Sequence, residues 1–151
     1  MIITETTYKV GNFKFNNIQD TEIFDNYLSI FSPEQLKQLY EGYKKGINYK
    51  IYAKPEFNWK QMKRIRLGLE ENLNVEIYAK PEFNEWQMFQ ISLGLKRKLN
   101  VSIYVCPEFT DEQMAQIRLG LEKGLNVNIY SKPELNWKEM LEIRLKLENK
   151  K

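Results

Sequence analysis

The stretch Asn58–Phe83, NWKQMKRIRLGLEENLNVEIYAKPEF, decides the fold because it recurs along the chain. Pro55, Pro81, Pro107 and Pro133 stand 26 residues apart, and Met62, Met88, Met114 and Met140 keep the same phase. A fixed period of this size is the mark of one supersecondary unit repeated in tandem, each copy burying its apolar face on its neighbours. Units begin near Ser32, Asn58, Asn84, Thr110 and Asn136.

Each unit opens on Ser, Thr or Asn, residues whose side chains accept a hydrogen bond from the free N–H groups of a helix start. Ser32 is followed by Pro33 and, three residues on, by Gln35, which is capping-box spacing. Met62, Ile65, Leu69 and Leu73 share one helical face. The helix is expected to end near residue 71, because Gly46, Asn72 and Gly124 at the next position tolerate a left-handed backbone. Lys98 fills that place in the third copy and departs from the pattern. The following N-V-x-I-Y segment reads either as a short helix capped by Asn74 or as a strand with Val75 and Ile77 on one face. Proline then closes the unit, and a P-E-[FL] turn leads to the next cap.

These elements predict a mainly α fold: a short helical-repeat solenoid over 32–151, carrying a long helix plus a short helix or extended segment per unit. A helix–strand solenoid with a small parallel sheet is the alternative. Residues 1–31 fall outside the period. Gly11-Asn12 between YKV and FKF predicts a two-residue hairpin turn, and Asp20–Phe31 a short helix with Ile23, Phe24, Tyr27 and Ile30 apolar. This segment reads as an N-terminal cap, with a partner-binding hairpin as the functional alternative.

The mid-helix glycines Gly42, Gly68, Gly94 and Gly120 each weaken a helix by about 1 kcal/mol relative to alanine. Close approach of the following helix is the expected compensation, since the last copy carries Lys146 there. Leu67, Leu93, Leu119 and Leu145, replaced by Glu41 in the first copy, are expected to meet the preceding helix.

The chemistry-bearing residues are few. The chain has no histidine, which removes the usual triad base and the commonest zinc ligand, and it has a single cysteine, Cys106. Neither a signal peptide nor a membrane-length apolar run is recognisable, so a cytoplasmic protein is expected. The Glu56, Glu82, Glu108 and Glu134 ladder would be spread along a stack rather than gathered on a metal. Arg66, Arg118 and Arg144 each precede an acid by four residues and read as surface i, i+4 pairs, or else as a basic stripe. A net charge of +3 is too balanced to argue for phosphate binding. No catalytic residue, metal set or cofactor is assigned.

Binding specificity is expected where the copies diverge. The rows through Lys60, Lys63 and Arg64 differ most, and the third copy places Trp86, Phe89 and Gln90 beside them. An aromatic pair next to a basic cluster is a hot-spot composition, so these six residues form the candidate partner-binding site.

At the motif Q-M-x-x-I-R-x-G-L-x-x-x-L-N-V-x-I-Y-x-x-P-E-F the chain resembles a family of bacterial repeats with a typical unit close to QMEEIRLGLEKGLDVSIYADPKF. Gln113–Tyr130, QMAQIRLGLEKGLNVNIY, matches it best, and the likeness covers about residues 32–149. That family is associated with mobile-element and phage-related proteins of low-GC bacteria. The resemblance carries no catalytic residues. It implies a non-catalytic protein-binding module, and by analogy an anti-CRISPR-like inhibitor that occludes a host defence nuclease complex. The alternatives are a nucleic-acid binder using Lys60, Lys63, Arg64, Lys96 and Arg97, or a structural scaffold.

Overall fold

Every unit starts its helix by the same local chemistry. In the computed structural model, which describes residues 6–150, the side chains of Ser32, Asn58, Asn84, Thr110 and Asn136 accept from the backbone N–H three residues on. The Gln or Glu at that third position accepts in return from the cap's own N–H, completing five capping boxes. The described residues are mainly helical, with six α-helices and an N-terminal two-stranded hairpin. The hairpin joins β1 (Tyr8–Val10) to β2 (Phe13–Phe15), α1 spans Ile18–Tyr27 and α2 spans Pro33–Lys44. Then follow α3 (Trp59–Glu70), α4 (Glu85–Lys96), α5 (Asp111–Glu122) and α6 (Trp137–Asn149).

The helix ends match the expected stop signal. Gly46, Asn72, Lys98 and Gly124 all take φ between +58° and +71°. In the second copy Leu73 N–H donates to Gly68 O at 2.9 Å and Asn72 N–H to Leu69 O at 3.1 Å, a complete Schellman pair. Lys98 adopts the left-handed conformation despite its side chain.

The N-V-x-I-Y segment is a one-turn 3₁₀ helix in each copy, at Tyr49–Ile51, Val75–Ile77, Val101–Ile103 and Val127–Ile129. The Asn before it makes no capping hydrogen bond, so its recurrence is not explained by a cap.

The glycine expectation needs a different physical reason. The nearest atoms to each mid-helix glycine belong to its own unit, above all the tyrosine of the 3₁₀ turn, while Gly68 also lines the α3–α4 seam with Phe89, Ser92 and Leu93. A Cβ at Gly42, Gly68, Gly94 or Gly120 would fall far inside contact distance of the hydroxyl of Tyr52, Tyr78, Tyr104 or Tyr130. A helical Cβ leans toward the N-terminus and covers the carbonyl four residues back. Glycine leaves that carbonyl open, and the tyrosine donates to it: Tyr52 to Gln38 O at 2.7 Å, Tyr104 to Gln90 O at 2.9 Å, Tyr130 to Gln116 O at 2.7 Å. These tyrosines are fully buried, and burial drives their hydroxyl pKa up, to about 12 at Tyr130. The leucine row does not mark one side only, since Leu67 and Leu93 both line the seam between α3 and α4.

The N-terminal segment packs on α2. Gly11 turns the hairpin with φ +58°, and Val10 pairs with Phe13. Phe15, Phe24, Tyr40, Tyr43 and Tyr49 form an aromatic cluster with centroids 4.7–6.2 Å apart. Tyr40 occupies the row of Arg66 and Arg118 and uses its hydroxyl on the hairpin, accepting from Lys14 N–H and donating to Lys14 O. Helix α1 starts earlier than expected, capped by Asn17, and ends at Tyr27. Ile30, expected on its apolar face, lies beyond that end and is exposed. The expected cap also includes Met1 to Glu5, which lie outside the described residues.

Candidate functional site

The functional surface follows from how successive helices are joined. Gln61 holds the Asn58 N–H through Oε1, and its Nε2 donates across to Phe83 O at 2.6 Å, immediately before the next helix cap. Gln35, Gln87 and Gln113 do the same toward Phe57, Phe109 and Leu135. The N-termini of α2 to α6 therefore lie side by side. Their C-terminal ends also meet through ion pairs, so the five helices run parallel.

Three of the four seams between these helices share one polar network. Arg66 donates from Nε to Gln38 Oε1 of the preceding helix at 3.1 Å and from Nη1 to Glu70 at 2.8 Å. Lys45 of the preceding unit also reaches Glu70. Arg118, Gln90, Glu122 and Arg97 repeat this between α4 and α5, and Arg144, Gln116, Glu148 and Lys123 between α5 and α6. The expected i, i+4 pairs are all present, but they are not surface pairs: they form part of an inter-helix joint, with Arg66 and Arg144 buried.

The α3–α4 seam departs at all four positions. Arg64 stands for Gln, Ser92 for Arg, Glu71 for Lys or Arg, and Lys96 for Glu. The ion pair is inverted, with Lys96 Nζ 2.9 Å from Glu71. Ser92 turns back to Phe89 O at 2.7 Å, and the missing guanidinium leaves a small void of ≈ 70 Å³ edged by Arg64, Phe89, Ser92 and Lys96. Arg64 fills the role differently: its guanidinium lies 4.4 Å from the Phe89 ring centroid and 5.7 Å from that of Trp86.

A groove of ≈ 310 Å³ opens beside this stack, lined by Trp59, Lys60, Lys63, Arg64, Leu67, Glu85 and Trp86. Trp86 is 54% exposed and Trp59 38%. The structure thus brings together five of the six residues singled out from sequence: Lys60, Lys63 and Arg64 on α3, Trp86 and Phe89 on α4. Gln90 lies apart from them, accepting from Arg118 at the next seam. The sequence reading left Trp59, Glu71 and Ser92 out of the site and placed Lys96 only in the nucleic-acid alternative. The signal was the departure of four rows in two adjacent units, Arg64 and Glu71 in one and Ser92 and Lys96 in the next, which is legible only once those rows are known to touch.

Among the described residues no group of three or more His, Cys, Asp or Glu side chains is placed to hold a metal ion, and Cys106 is half-buried. Among them too, no helix is long and apolar enough to cross a membrane. No family model, curated protein or solved structure matches the chain.

Proposed function

We propose that the chain is a short α-solenoid and a non-catalytic module that binds a protein partner through the groove between α3 and α4. The observation that carries this reading is the odd seam. Three seams use one self-satisfied Arg–Gln–Glu joint, whereas the α3–α4 seam exchanges it for a cation over Phe89 with the exposed Trp86 beside it. In a stack of like units the shared residues serve the stack, and a seam that departs at every joint position, two from each adjoining unit, is free to specialise. Exposed Trp and Arg are the residue types that dominate interface energetics.

The likeness of the unit to phage and mobile-element repeats supports one kind of partner, a bacterial defence nuclease complex occluded by stoichiometric binding. The nucleic-acid reading is weaker, because Lys96 and Arg97, two of its five cations, are paired with Glu71 and Glu122 at 2.9 and 3.2 Å.

The test is a photo-crosslinking amino acid placed at Trp86 and, as a control, at Glu112, which holds the same place one unit later. A defined protein adduct from position 86 and none from position 112 is expected, with nuclease inhibition reaching its limit at one module per complex. Equal labelling from both positions removes the reading. An oligonucleotide mobility shift that weakens steeply with salt transfers the function to nucleic acid.

A further inference from the structure

We propose that the α3–α4 groove is a carboxylate socket that takes an acidic side chain of the protein partner, with Arg64 as its two-pronged anchor and Trp59 and Trp86 as its walls. This rests on the protein-binding reading above and adds the chemistry of what is bound. The contrast among the arginines is the starting point. Arg66, Arg118 and Arg144 each donate to a Gln oxygen and a Glu carboxylate within the fold. Among the described residues Arg64 has neither, and its guanidinium lies over the Phe89 ring at 4.4 Å and near Trp86 at 5.7 Å. A guanidinium held over a ring by cation–π attraction spends no N–H donor on it, so its fork stays available to a carboxylate.

The surroundings have the matching sign. Lys60, Lys63 and Arg64 line the groove against one carboxylate, Glu85. None of the three cations has an acidic partner among the described residues, in contrast to Lys45, Lys96, Arg97 and Lys123 at the opposite helix ends. The volume, ≈ 310 Å³, lies at the small end for ligand pockets and suits a short segment rather than a helix.

The ring faces argue for a carboxylate over a nucleobase. Lys60 Nζ already lies 5.7 Å over Trp59, and Arg64 covers Trp86 and Phe89. Single-strand binders need open aromatic faces and a continuous cationic track. Here cations occupy the rings, and the cations that would extend a track are paired elsewhere.

The experiment follows the three tryptophan indole N–H signals of the ¹⁵N-labelled full chain during titration with an N-acetylated, C-amidated Glu-Glu-Tyr-Glu-Glu-Tyr peptide. Saturable shifts of Trp59 and Trp86 are expected, with Trp137 unmoved. The Gln-for-Glu peptide and the Arg64→Gln variant should each weaken binding about fivefold or more. Glutamine is native to this row at Gln38, Gln90 and Gln116, so the variant is compatible with the fold. Arg64→Lys should fall between, keeping the charge and losing the fork. Equal response to the two peptides, no saturable shift at millimolar concentration, or stronger shifts with decathymidylate would each overturn the proposal. A crosslink from position 86 without a response to the Glu peptide refutes the carboxylate anchor alone and leaves the protein-binding reading intact. Absence of both removes that reading as well.

Discussion

Gly42→Ala should destabilise this protein, although helix propensity alone predicts the reverse. Replacing a mid-helix glycine by alanine ordinarily stabilises by about 1 kcal/mol. Here the new Cβ would lie far inside contact distance of Tyr52 Oη, while its next neighbours, Tyr52 Cζ and Ile47 Cγ1, stand at 3.2 and 3.3 Å. The hydroxyl must move, and its 2.7 Å bond to Gln38 O is lost. A buried hydroxyl without a partner costs about 1–3 kcal/mol, and crowding of a packed site about 1–3 more. Set against the propensity gain, the net effect is a loss of about 1–5 kcal/mol. Tyr52→Phe alone should cost only about 1 kcal/mol, since the carbonyl keeps its place in the helix ladder. Combining the two removes the atom that clashes, so Gly42→Ala in the Tyr52→Phe background should lie within about 1 kcal/mol of neutral. Urea unfolding of the four proteins, followed by far-ultraviolet circular dichroism, measures the coupling as a double-mutant cycle. An equal effect of the glycine substitution in both backgrounds, or a rise in stability in the wild-type background, refutes the reasoning. Gly42 is the cleanest site, because at Gly68, Gly94 and Gly120 a valine Cγ1 also stands within 2.6–2.7 Å of the added carbon.

Gln87→Ala should cost about 1–3 kcal/mol in the same assay, because Gln87 Nε2 satisfies Phe109 O at 2.7 Å across a unit boundary. Gln87→Glu keeps the capping acceptor but supplies no donor, so it should be at least as damaging. Tyr49→Phe should be neutral or stabilising, since the Tyr49 hydroxyl is buried without a hydrogen-bond partner; a loss above about 1 kcal/mol would contradict this. Glu71→Lys should lose a few tenths of a kcal/mol to about 1, and adding Lys96→Glu should restore it by reproducing the polarity of the other seams, with both effects shrinking in high salt. At alkaline pH, burial raises the hydroxyl pKa of Tyr52, Tyr78, Tyr104 and Tyr130, to about 12 at Tyr130. The folded state therefore holds these protons more tightly than the unfolded chain, in which tyrosine titrates near 10. Their stabilisation is full below about pH 10 and is lost as pH climbs toward 12 and above. Tyrosinate absorbance should show exposed rings ionising first and the buried rings ionising together with unfolding.

How much was legible in advance divides by range along the chain. Helix starts, helix stops and the hairpin turn were readable because their chemistry closes within five residues: Asn58 with Gln61, Leu73 with Gly68, Val10 with Phe13. Lys98 shows the strength of the signal, since the period placed a left-handed residue there against its own preference. The candidate groove was partly legible for the opposite reason. Trp86, Phe89, Lys60, Lys63 and Arg64 stood out as departures from a repeat that otherwise accounts for its own residues. Gln90 failed that logic, because it carries the residue usual in its row, shared with Gln38 and Gln116, and serves the network at the next seam.

By itself, then, the sequence determined the unit, the caps of its long helices, its stop signals and the rows in which units differ. The tertiary structure alone decided which repeated residues meet. Tyrosine reaches a carbonyl 14 residues back, Gln a carbonyl 22 residues ahead, and Arg a Gln 28 residues back. A period tells that an environment recurs but not whether its partner sits in the same unit or the next, because both arrangements repeat every 26 residues. The glycines looked like room for a neighbouring helix, and the atom closest to each is a tyrosine hydroxyl of its own unit. The arginines make the i, i+4 pairs expected of them and also join one helix to the next. Tyr40 was a clue, since it stands in the arginine row where the partner is the hairpin rather than a glutamine.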